Sequence, residues 1–220
     1  MNPLFLGTWQ RRLFGMHTPA VCRAGRPRAA VLCQPWGDEY IYAHRSVRQL
    51  ALKLSLAGFD TLRFDYFGTG DSAGEDSDTD AAGLQADVVT AIDALKELAG
   101  TEKVALVGLR AGANVAASTA AGAPGAVEAL VLWDPIVPGD PCLDGVPPAL
   151  QPLDVAALPS RALILVTQSP YEKSCAILGA AAMRPAAIEF LPAPCPWSES
   201  ASTTGVIPVR AIQRIEEWLR

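Results

Sequence analysis

Apolar runs of four or five residues recur along the chain, separated by stretches long enough to hold a helix. Ala29–Cys33, Val104–Val107, Ala129–Trp133 and Ala162–Val166 are such runs, and continuous apolar character marks strands buried on both faces; Thr61-Leu-Arg-Phe64 and Ala187–Leu191 read as two further strands. Between them the spacing changes to that of a helix. Val47, Leu50, Leu54 and Ala57 form one stripe closed by Gly58, and Leu84, Val88, Ile92, Leu95 and Leu98 form another. Val209, Ile212, Ile215, Trp218 and Leu219 form a third, with Pro208 near its first turn. At the front, Leu4–Gln10 and Leu13–Pro19 read as a hairpin turning at Arg11-Arg12. Strands alternating with helices predict an α/β fold, a mostly parallel sheet with helices on both faces, built as a single domain over residues 1–220.

In such sheets, sites gather in the loops at the carboxyl ends of the strands. Those loops are expected at 34–45, 65–74, 108–112, 134–160, 167–173 and 192–199. The sharpest signal is Val104-Ala-Leu-Val-Gly-Leu-Arg-Ala-Gly-Ala113, in which a buried strand meets a Gly-x-Arg-x-Gly turn that opens a helix. Glycines at those places permit a strained turn that lifts one side chain, here Arg110, above the sheet. A guanidinium stays protonated and has donors but no lone pair, so it cannot attack a carbonyl. Residues 135–161 contain seven prolines and little periodicity, which predicts a stiff Pro-rich loop in place of a helical cap.

Charge and composition narrow the classes. The net charge of −5 argues against nucleic acid as a partner. No apolar run approaches the roughly 18–20 residues that span a bilayer, and the first residues lack the pattern of a secretory signal. Cys22, Cys33, Cys142, Cys175 and Cys195 have no metal-type spacing, so reduced thiols, a cytoplasmic setting, no metal and no cofactor are expected.

Taken together, the turn Gln34-Pro-Trp-Gly37, the loop Asp65-Tyr-Phe-Gly-Thr-Gly-Asp-Ser72, the Gly108–Gly112 elbow and the last helix resemble the α/β-hydrolase superfamily in its serine aminopeptidase-like branch. The pairing of a Pro-Trp-Gly-Asp-Glu loop with a Gly-Leu-Arg-x-Gly elbow is similar to hydrolase-like proteins encoded beside exosortase and carrier-protein acyl systems. The resemblance implies a Ser–His–Asp relay whose positions are occupied differently here. Arg110 stands at the nucleophile, the loop after Val166 offers only Glu172 as the acid, and the loop Pro192–Glu199 holds no histidine. The two histidines of the chain, His17 and His44, lie far earlier. The resemblance also implies an oxyanion hole from backbone N–H groups at Ala111 and near Trp36.

The candidate catalytic residues are therefore Arg110, Glu39, Asp38, His44 and Asp134. Trp36, Gly37, Tyr66, Ala111 and Trp197 are the candidate substrate-binding residues. Arg110 binds an anion or acyl carbonyl, or else plugs the site; either role implies a carboxylate partner, Glu39 first, then Asp38, then Asp134. Asp65, Gly68, Gly70 and Ser72 are expected to shape their loop, and Cys33 to sit in the core; Cys195 and Ser198 lack a base. Three functions remain open: an atypical enzyme on an acyl or carbonyl-containing small molecule (isomerisation, cyclisation or carrier-linked acyl handling), a pseudoenzyme binding a ligand or partner protein, and weak ester or thioester hydrolysis by activated water. An open pocket holding an anion favours the first, and a closed Arg110 ion pair the second.

Overall fold

A computed structural model describes residues 1–23, 25–137, 153, 158–159, 161–168, 187–198 and 206–220. The apolar runs become strands β3 (Arg28–Cys33), β4 (Phe59–Phe64), β5 (Val104–Leu109), β6 (Val127–Trp133), β7 (Ala162–Val166) and β8 (Ala187–Phe190). The N-terminal hairpin supplies β1 (Asn2–Gly7) and β2 (Arg12–Thr18). They form one sheet in the order β1-β2-β4-β3-β5-β6-β7-β8, antiparallel from β1 through β2 to β4 and parallel beyond.

Alternate residues of each inner strand feed two cores. Leu106 and Val104 of β5 join the core under helices α2 (Ala81–Ala99) and α3 (Ala111–Gly122). Ala105, Val107 and Leu109 join the other, under α1 (Asp38–Leu56) and α4 (Val209–Leu219). Both faces are thus covered, which is why the strands carry apolar residues without alternation. The chain leaves β3 toward β4 on one side and returns to β5 on the other. The carboxyl ends of β3 and β5 therefore flank the switch point where such sheets open a crevice.

Several local expectations are corrected. Residues 38–45 are the first two turns of α1, so Asp38, Glu39 and His44 ride on a helix rather than a loop. The signal was Asp38-Glu39 itself: two acids in a first turn complement the positive end of the helix dipole. Leu98 is 42 % exposed, because the stripe of α2 continues from Leu95 to Ala99 at i+4. That helix starts with the Asp80 side chain accepting a hydrogen bond from the Gly83 N–H at 2.7 Å and ends at left-handed Gly100. Of the Pro-rich segment, Ile136 and Val137 are buried at its start, and Leu153 and Leu158 also pack into the core. Residues 138–152, 154–157 and 160 lie outside the described residues, as does Glu172; among the described residues there is no helical cap.

The fold positions its elbow by backbone contact. A Cβ added at Gly108 would lie 2.4 Å from the Ala113 Cα, and one at Gly112 would lie 2.3 Å from the carbonyl oxygens of both Cys33 and Gln34. All these atoms are main chain and have no freedom to swing away. Gly112→Ala should therefore destabilise the protein by about 3 kcal/mol or more or prevent folding. Ala117→Gly, further along the same helix, should cost only about 1 kcal/mol. Urea unfolding of the two variants checks the contrast.

Candidate functional site

The site begins with a strained residue. Arg110 follows β5 at φ 55°, ψ −125°, a conformation that side chains with a Cβ rarely adopt. It is held there by its N–H, which donates to the Trp133 carbonyl at 3.1 Å, and by its carbonyl, which accepts from the Ala113 N–H at 2.9 Å. The side chain is lifted off the sheet and has no exposed surface. Its Nε donates to both oxygens of Glu39, at 3.1 and 3.3 Å, and Nη1 donates to the Asp134 carbonyl at 3.3 Å. The Trp197 ring lies over the guanidinium, its centroid 5.3 Å from Cζ. Glu39 reaches in from the first turn of α1, and its side chain is 17 % exposed.

Asp134 is the second residue at positive φ, 44°, directly after β6. Its N–H continues the ladder to the Leu165 carbonyl at 2.8 Å. Its carboxylate turns toward β7, where Oδ1 accepts from the Thr167 N–H at 2.7 Å and Oδ2 from the Thr167 hydroxyl at 2.5 Å. Burial pushes this carboxyl up to about 6, against the opposing pull of Thr167 and, more weakly, of Arg110. Thr167 was missed in the sequence because a threonine after a strand carries no signal of its own. Asn114 was also missed: its amide makes two 2.9 Å bonds to the Ile136 main chain, fixing the path out of β6.

The remaining candidates separate. Asp38 is exposed and makes no ion pair among the described residues; with Trp36 and Gly37 it lines a distinct cavity of about 360 Å³ that reaches Thr69 and Gly70. His44 faces another cavity, and partial burial and the Arg63 charge lower its pKa. Tyr66 is 2 % exposed and packs on Phe64 and beside Cys33 in the core. Burial raises Cys33 to about 12 and also raises Cys195, so both thiols stay protonated. The Ser198 hydroxyl donates to the Cys195 carbonyl at 3.3 Å. Ala111 opens α3 beside the Cys33–Gln34 main chain that Gly112 touches. Asp65 organises its own loop, accepting hydrogen bonds from the Tyr40 hydroxyl (2.8 Å), the Gln34 amide (3.3 Å) and the Asp71 N–H (3.0 Å).

A strained residue at a strand-to-helix turn beside the switch point is the geometry of a nucleophile elbow. Residues 38–188 match the family described as serine aminopeptidase, S33. The chain belongs to this family of α/β hydrolases. Solved α/β hydrolases share the fold. A serine hydrolase without a lid from Xanthomonas campestris is 19 % identical over 99 % of this chain and 91 % of its own, with a TM-score of 0.70. A serine hydrolase homologue from Coxiella burnetii is 18 % identical over 99 % and 95 %, with a TM-score of 0.72. Est1E from Butyrivibrio proteoclasticus, solved with ferulic acid bound, is 16 % identical over 96 % and 97 %, with a TM-score of 0.70. No functionally curated protein matches the sequence. In this α/β hydrolase the elbow position carries Arg110, and the described part of the loop after β8 supplies Trp197.

Asp134 gives this site a measurable pH signature. A carboxyl whose pKa is higher folded than unfolded takes up a proton on folding between the two values. Its contribution to stability is present below about pH 4 and is lost as pH rises through about 6. Urea unfolding across pH 4 to 7 should show wild type losing stability relative to Asp134→Asn, whose amide does not titrate. Parallel curves for the two proteins would refute the assignment.

Proposed function

We propose that this α/β hydrolase is a pseudoenzyme with respect to acyl transfer, one whose elbow holds a structural ion pair where a nucleophile would act, and which works by binding an acyl or carbonyl-containing ligand or a partner protein. The observation that carries this reading is the complete burial of Arg110 against Glu39. Hydrolysis through an acyl-enzyme needs a nucleophile with a lone pair and a base within hydrogen-bond reach of it. Arg110 supplies neither. Both histidines are far from the elbow in role: His17 on β2 is 3.0 Å from Asp60, and His44 on α1 faces a different cavity. The resemblance to exosortase-associated proteins supports a ligand that is an acyl group, free or carrier-linked. No described helix is long and apolar enough to cross a membrane.

A second reading rests on Asp134. A buried carboxyl near pH 6 at a strained position is suited to accepting and returning a proton. With backbone donors at Ala111 and near Trp36 to hold a carbonyl oxygen, it would serve isomerisation or cyclisation. Both Asp134 oxygens are already engaged by Thr167, which favours the binding role. The same engagement counts against direct activation of a hydrolytic water.

A fluorophosphonate probe should fail to label the protein, and p-nitrophenyl esters should give no acyl-enzyme burst. Arg110→Ser should remain inactive, since no histidine stands ready to take the proton. A stoichiometric burst from wild type would overturn the proposal.

The ion pair itself should behave as one unit. Glu39→Gln should destabilise by about 3 kcal/mol, because it removes a carboxylate that pairs with a fully buried guanidinium. Glu39→Gln combined with Arg110→Met should recover most of that loss. A double-mutant cycle by chemical unfolding reads the coupling, and additive effects would show that the pair does not hold the elbow.

A further inference from the structure

Arg63 breaks the apolar run of β4, and the strand carries it to the face covered by α1, where it is only 5 % exposed. A guanidinium placed so deep is ordinarily paired with a carboxylate. Here Nη2 reaches only the Met1 sulfur, at 3.9 Å, and Nε has no hydrogen-bond partner. Asp65 is near but committed elsewhere, its oxygens taken by Tyr40, Gln34 and the Asp71 N–H. No ion pair joins Arg63 to any described carboxylate.

Arg63 instead lines a cavity of about 310 Å³ between α1, β2 and β4. Arg48 and His44, one turn apart on α1, line it too, and Arg48 makes no ion pair among the described residues. Burial and then the neighbouring Arg48 charge lower the pKa of Arg63, as expected of two cations sharing a space. Phe14, Met16 and Phe64 give the cavity an apolar wall. Asp71 is the exposed acid at its rim, and the buried Asp65 also lines it, with its oxygens bonded to Tyr40, Gln34 and the Asp71 N–H. The volume is that of a small-molecule site, and the lining pairs an apolar surface with two convergent guanidiniums.

We propose that this cavity binds a small organic anion, with a carboxylate or phosphate head on Arg63 and Arg48 and a short apolar body against Phe14, Met16 and Phe64. The head group would accept the unfilled Nε–H donor, and its charge would stabilise the two guanidiniums against each other. The site is separate from the elbow, since Arg110 and Glu39 do not line it.

Isothermal titration of the full chain with benzoate, phenyl phosphate and inorganic phosphate tests this. At least one of the two organic anions should bind saturably, and the tighter of them identifies the preferred head group. Arg63→Met should weaken that binding at least tenfold, Arg48→Met several-fold, and Asp71→Asn should tighten it by removing the rim charge. Arg110→Ala should leave it unchanged, which separates this site from the elbow and its proposed function. If Arg63→Met does not fold, the opposite shifts of Arg48→Met and Asp71→Asn decide the matter. The proposal is overturned if none of the probes binds at 10 mM or if binding is indifferent to Arg48 and Asp71. Loss of binding in Arg110→Ala, or inorganic phosphate binding as tightly as phenyl phosphate, would also overturn it.

Discussion

The contact between Arg110 and Glu39 constrains the whole upper face of the sheet. Burying a guanidinium incurs a desolvation cost of several kcal/mol unless charge and hydrogen bonds replace its water. Glu39 supplies the charge, the Asp134 carbonyl accepts one more hydrogen bond, and Trp197 covers the cation. These partners come from α1, from the end of β6 and from the loop after β8, three segments far apart in sequence. One side chain thus ties together the ends of four elements, counting its own strand. The start of α1 is part of this arrangement, because Glu39 reaches Arg110 only from a first turn beginning at Asp38.

Asp134 shows the same logic on the neighbouring strand. Its positive φ turns the chain out of β6 while keeping one more ladder bond to β7, and the carboxylate then caps the start of the loop after β7 through Thr167. Two strained residues on adjacent strands, one cationic and one acidic, face the same crevice without forming an ion pair with each other. Arg110 pairs with Glu39, and burial leaves Asp134 with a carboxyl raised to about 6. Strain of this kind persists only where surrounding bonds over-determine it: main chain bonds Arg110 on both sides, while Asp134 is held by the Leu165 carbonyl on its N–H and by the Arg110 side chain on its carbonyl.

Much of this was legible in the residues. Five buried runs and the elbow were visible because strand burial and glycine placement act locally, and Glu39 because a buried cation needs a carboxylate; the sixth run, β8, forms its strand at the sheet edge and stays partly exposed. What stayed hidden depends on tertiary context. Tyr66 follows a loop aspartate, and nothing local in the sequence signals that it packs in the core with Cys33 and Phe64. Leu98 fits a helical stripe on paper, but Ala99 occupies that face of α2. The early start of α1 was masked by the aromatic and polar residues between Gln34 and Arg45, which read as a loop. Arg63 offered a signal that went unused: a charged residue inside a run that must be buried.

The glycines on either side of Arg110 set the elbow by contact of main chain on main chain, with Gly108 against Ala113 and Gly112 against Cys33 and Gln34. None of these contacts involves the residue at the tip. The tightness of the turn is therefore set by the main chain, while the side chain at its tip is left to set which neighbouring elements the elbow is tied to: here α1, the end of β6 and the loop after β8.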